Sequence, residues 1–93
     1  MLSTADNIVD KKLYITIEFF GMHGVIADTD RIQMPITATT TVADTIAYVT
    51  RKYPGITIDQ KSILTAVNHE IVPLMKVLQP NDIVSLLPPI GGG

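Results

Sequence analysis

One stretch of this chain carries a clear helical rhythm, and it limits the fold more than any other feature. In TVADTIAYVTRKYPG, Thr41 to Gly55, the residues Val42, Ile46, Val49 and Tyr53 recur at i, i+4, i+7 and i+11. That spacing stacks them on one face of a helix, where they read as core packing. Thr41 is a candidate N-cap, and Asp44 three residues on serves the helix dipole and the free N–H groups of the first turn. Arg51 and Lys52 fall in the last turn, where positive charge is favoured, and Pro54-Gly55 stops the helix. A single helix in a chain of 93 residues must find a sheet to cover, which points to an α+β domain with one helical layer.

The rest of the chain supplies the strands. KLYITIEFF turns Leu13, Ile15, Ile17 and Phe19 one way and Tyr14, Thr16, Glu18 and Phe20 the other, the period of a half-buried strand. GMHGVIADTD follows and reads as a loop or wide hairpin connection, given its glycines and aspartates. RIQMPIT alternates again through Ile32, Met34 and Ile36. Pro35 cannot donate to a ladder, so this is expected to be an edge strand or to carry the proline on its free side. Beyond a connector with Ile56 and Ile58, SILTAVNHEIV reads as two short strands about a turn at Asn68-His69. PLMKVLQPND reads as a tight crossing, and DIVSLLP as the last strand.

The first and last strands are strongly apolar and are expected to be neighbours beneath the helix. The arrangement is the β-grasp, or ubiquitin-like, fold: a mixed sheet of four to five strands covered by one main helix. Along the last strand, alternation places Val84 and Leu86 in the core. Ser85 and Leu87 then face away from the helix, with Leu87 exposed and forming an apolar patch with Ile71 or Pro88. The division of the chain is a flexible lead-in at 1–11, the domain at 12–87 and an extended arm at 88–93.

Composition narrows the function. The formal charge of −2 offers no basic footprint for nucleic acid, and the apolar runs fall short of the ~20 residues of a membrane span. The N-terminal MLSTADNIVDKK lacks the basic start and apolar core of a signal peptide, so a cytoplasmic location is expected. Without cysteine there is no disulfide, thiolate metal site or cysteine nucleophile. His23 and His69 sit in separate expected loops without convergent ligands, and no metal site is expected. Asp28, Asp30 and Asp82 read as exposed turn aspartates. No nucleophile and base come together for stand-alone catalysis, and no bound cofactor is expected.

The most unusual segment is LLPPIGGG, Leu86 to Gly93. Pro88 and Pro89 fix φ, lack the N–H, and so end the strand and hold the chain extended. Ile90 is a single apolar anchor, and Gly91, Gly92 and Gly93 add no side chains. At roughly 3.3–3.6 Å per residue the arm reaches about 20 Å from the sheet. It suits delivery of the Gly93 carboxylate into a narrow pocket of another protein. The arm has no acid, base or metal ligand, so the receiving protein must supply the chemistry.

AVNHEIV at 66–72, with LQPNDIVSLLPPIGGG at 78–93, resembles the MoaD/ThiS sulfur-carrier family, nearest to the small subunit of molybdopterin synthase. The resemblance rests on Val67-Asn68, on Ile71-Val72, on Leu78, Asp82 and Val84, and on Pro88, Pro89, Gly92 and Gly93. It implies that an E1-like adenylyltransferase uses ATP to adenylate the Gly93 carboxylate, and that a sulfur donor system converts it to a thiocarboxylate. The large subunit of molybdopterin synthase would then use that sulfur on a cofactor precursor. Transfer to a thiamine thiazole or to tRNA, conjugation to lysines as a ubiquitin-like modifier, and a plain binding subunit remain open beside it.

Overall fold

The computed structural model describes residues 13–89. They form β1 (Leu13–Glu18), α1 (Met22–Ala27), β2 (Arg31–Ile36), α2 (Val42–Lys52), β3 (Leu64–Val67), β4 (Glu70–Ile71) and β5 (Ile83–Leu87). The strands make one sheet in the order β2-β1-β5-β3-β4. β5 runs parallel to β1, and the other pairings are antiparallel. The first and last strands are therefore neighbours at the centre of a mixed sheet, as the apolar pattern required.

The core lies between α2 and one face of the sheet. Ile15, Ile17, Phe19, Met34, Val84 and Leu86 come up from the strands to meet Val42, Ile46 and Val49. Phe19 packs edge-on against Tyr53, with ring centroids 5.7 Å apart. Leu13 was expected on the inner row but is exposed, because β1 starts at the sheet's rim. β2 is an edge strand, and Pro35 lies within it opposite Tyr14.

α2 begins with a capping box between Thr41 and Asp44, in which the Thr41 N–H donates to Asp44 Oδ2 at 2.8 Å. The next two free N–H groups go to the crossing segment: Val42 to the Lys76 carbonyl at 3.0 Å and Ala43 to that of Leu74 at 2.9 Å. A helix start leaves four donors without intrahelical partners. The crossing thus fixes the helix above the sheet as well as connecting strands.

The GMHGVIADTD segment is not a plain loop. It holds the six-residue α1, closed by Asp28 in the left-handed conformation with φ 59°. Six residues give less than two turns, too few for periodicity to emerge.

Candidate functional site

β5 is held at both ends, and the two ends have different characters. At its start, Asn68 and Asp82 form a staple. Asn68 Nδ2 donates to Asp82 Oδ1 at 3.0 Å, Gln79 N–H to Asp82 Oδ2 at 2.8 Å, and Ile83 N–H to Asn68 Oδ1 at 2.9 Å. Asn68 and His69 both have positive φ, 52° and 73°, as the tight two-residue hairpin between β3 and β4 requires. Asp82 is buried rather than an exposed turn aspartate, and it acts as acceptor for the strand's entry. The Val-Asn and Asp-x-Val motif positions thus serve structure: they set where β5 begins.

The far end of β5 is the root of the proposed arm. Val84 and Leu86 are fully buried, as alternation predicts. Ser85 faces away from α2, yet it is buried too, because its strand is central: Glu18 of β1 and Ala66 of β3 stand on either side. Leu87, half-buried, lies opposite Leu64 of β3. Together with Phe20, Met22, Ser62, Pro88 and Pro89 these two leucines line a groove of about 660 Å³.

The structure therefore brings together Leu87, Pro88 and Pro89 from the sequence-derived residues. Ile71 shares the same face of the sheet but stands one row away, opposite Ala66, and is exposed there without lining the groove. Leu64 takes the place beside Leu87, set by the β3–β5 register. Ile90, Gly91, Gly92 and Gly93 lie outside the described residues.

Phe20, Met22 and Leu64 were not singled out in the sequence. Phe20 carries a signal, being the outward residue of β1's alternation. Leu64 could be found only from a register between strands about twenty residues apart in sequence.

His23, expected in a loop, is buried on α1 at 7% exposure. Its ring borders the apolar groove and, on another side, a smaller hollow formed with Thr57, Ile58, Asp59 and Ile63. Pro88 and Pro89 line both hollows. Among the described residues Nδ1 has no hydrogen-bond partner. Burial lowers the imidazole pKa below its ordinary 6.5, countered in part by the Leu86 backbone nearby. Gly21 precedes α1 at φ 58° and ψ −135°, a conformation that side chains resist. A Cβ placed on it would stand 3.9 Å from Pro88 Cγ.

Among the described residues no group of three His, Asp or Glu side chains could hold a metal ion. No described helix is long and apolar enough to cross a membrane.

The sequence model of the ThiS family matches residues 23–93. The small archaeal modifier protein 1 of Methanosarcina acetivorans superposes with a TM-score of 0.72 at 22% identity, covering 89% of this chain and 99% of that one. A putative molybdopterin converting factor subunit 1 of Pyrococcus furiosus gives 0.70 at 20% identity, covering 84% and 99%. A third match is to a complex of subunits 1 and 2 of the molybdopterin-converting factor of Helicobacter pylori, with a TM-score of 0.54 at 23% identity, covering 87% and 100%. At these identities the likeness is one of fold, and that fold is ubiquitin-like.

Proposed function

The chain belongs to the ThiS family of ubiquitin-like carriers and modifiers, and from that premise we propose that it is a sulfur carrier whose Gly93 carboxylate is the working group. The proposed cycle begins on an E1-like adenylyltransferase. A carboxylate oxygen attacks the α-phosphorus of ATP, giving an acyl-adenylate and releasing pyrophosphate. Hydrosulfide supplied by the donor system then attacks the acyl carbon, AMP leaves with the original oxygen, and the sulfur's proton is lost to solvent. The product is a thiocarboxylate at Gly93.

The observation that carries the reading is the mount of the segment. β5 is the central strand, paired on both sides and stapled at its start by Asn68 and Asp82. It ends beside an apolar groove, where Pro88 and Pro89 take the chain off the sheet. A rigid origin followed by thin glycines suits a group that must enter another protein's pocket. The groove supplies apolar surface for the protein that receives it, and interfaces draw much of their energy from such central anchors.

The proposed acceptor is a molybdopterin precursor held by a large synthase subunit. The two-subunit converting factor of Helicobacter pylori, which shares the fold, supports a partner of that kind. Conjugation to lysines is the second reading, supported by the fold shared with the archaeal modifier protein. Pyrophosphate release from ATP in the presence of an activating enzyme tests the first step. The full chain should drive it, and deletion of Gly93 should abolish it without changing the fold. Release that is unaffected by the deletion would contradict the proposal.

A further inference from the structure

Nothing in the proposed cycle uses His23, yet the ring occupies a specific place. It lies in the first turn of α1, two residues after Gly21, whose backbone passes close to Pro88. It is only 7% exposed, and two separate hollows have His23 on one wall and Pro88-Pro89 on another. The first turn of α1 is thus a bracket laid against the strand end from which the arm departs.

We propose that His23 is a positioning residue for this arm: its neutral ring, buried on α1 beside the Leu87–Pro89 segment, sets the direction in which the chain leaves the sheet, and protonation releases that direction. This rests on the carrier reading for its purpose, but not for its geometry.

The physical argument is one of donors and acceptors. A neutral imidazole has one donor and one acceptor, whereas an imidazolium has two donors and no acceptor. Here Nδ1 is buried with no partner among the described residues. An N–H at Nδ1 would have no acceptor among the described residues, and a buried charge without a counter-ion is strongly disfavoured. Asp59 is the one other ionisable residue lining the two hollows. It is exposed, and its Oδ1 already accepts the Lys61 N–H at 2.9 Å in its own turn. A protonated ring must therefore turn towards water. It then withdraws from the hollows it shares with Pro88 and Pro89, which have no N–H of their own to hold them.

Isotope-labelled full-length protein, titrated by NMR with no partner present, tests this directly. The His23 ring signals should titrate below pH 6.5, the ordinary imidazole value. The amide signals of Leu87 and Ile90 should move with the same midpoint, while that of Val84 in the core stays in place. In His23→Leu and in His23→Gln the movement at Leu87 and Ile90 should vanish, with the rest of the spectrum unchanged. His23→Gln decides the matter if the leucine variant does not fold. Leu87 and Ile90 signals that ignore the His23 titration, or that move equally in the variants, overturn the proposal. In charging assays the matching result is a KM that rises at low pH in the wild type and stays flat in His23→Leu. If the wild type is never charged at any pH, the carrier reading fails while the NMR result still stands or falls alone.

Discussion

Two adjacent leucines show how sharply a strand separates stability from recognition. Leu86 has no exposed surface and Leu87 lines the groove. Leu86→Ala should cost about 2–5 kcal/mol by chemical denaturation, since it removes apolar area and leaves a cavity. Leu87→Asp should barely move the melting temperature, yet weaken binding to the activating enzyme or the large subunit by about 1–3 kcal/mol in isothermal titration. A destabilising Leu87→Asp with unchanged binding would reverse those roles. Asp82→Ala should also destabilise, by about 1–3 kcal/mol, because the Gln79 N–H and the Asn68 amide lose their acceptor. Alternation made Leu86 and Leu87 legible in the sequence, since the period of a strand is two. Asp82 was not legible, because its polar partners come from a hairpin and a crossing that only the folded chain assembles.

At the scale of elements, legibility followed length. α2 spans eleven residues, enough for its apolar stripe, its capping box and its stop signal to agree. The alternating strands declared themselves in the same way. α1 has six residues and no acidic residue in its first turn or basic one in its last, so nothing local distinguished it from a loop. Its position, between the end of β1 and the root of the arm, comes from tertiary packing. Gly21 carries the turn into it at φ 58° and ψ −135°. Gly21→Ala should therefore cost about 1–3 kcal/mol through backbone strain, measurable as a lowered denaturation midpoint. An unchanged midpoint would show that the turn into α1 relaxes freely.

Across the whole molecule, the burial of His23 ties stability to pH. Its folded-state pKa lies below its unfolded value, so the unfolded chain binds the proton more readily. The stability contribution is complete above about pH 6.5, the unfolded value, and is lost as pH falls through the lowered folded pKa. His23→Leu should flatten that part of the profile in thermal melts. The same architecture places a locked central strand and an apolar groove at the Pro88-Pro89 segment, and the central claim is that the glycines following it in sequence deliver a reactive carboxylate. Its fold was legible because few sheets accommodate a single helix over neighbouring first and last strands. The groove was legible in Leu87, the prolines and the alternation that turns Phe20 outward, but not in the residues that α1 and β3 bring to it. The most direct test is the intact mass of the full-length protein after incubation with an activating enzyme, ATP and a sulfur donor. The account predicts a mass increase equal to the exchange of one oxygen for sulfur, located by fragmentation at Gly93 and absent when Gly93 is deleted. An unaltered mass with an enzyme shown to be active on another carrier, or a sulfur located elsewhere in the chain, would contradict it.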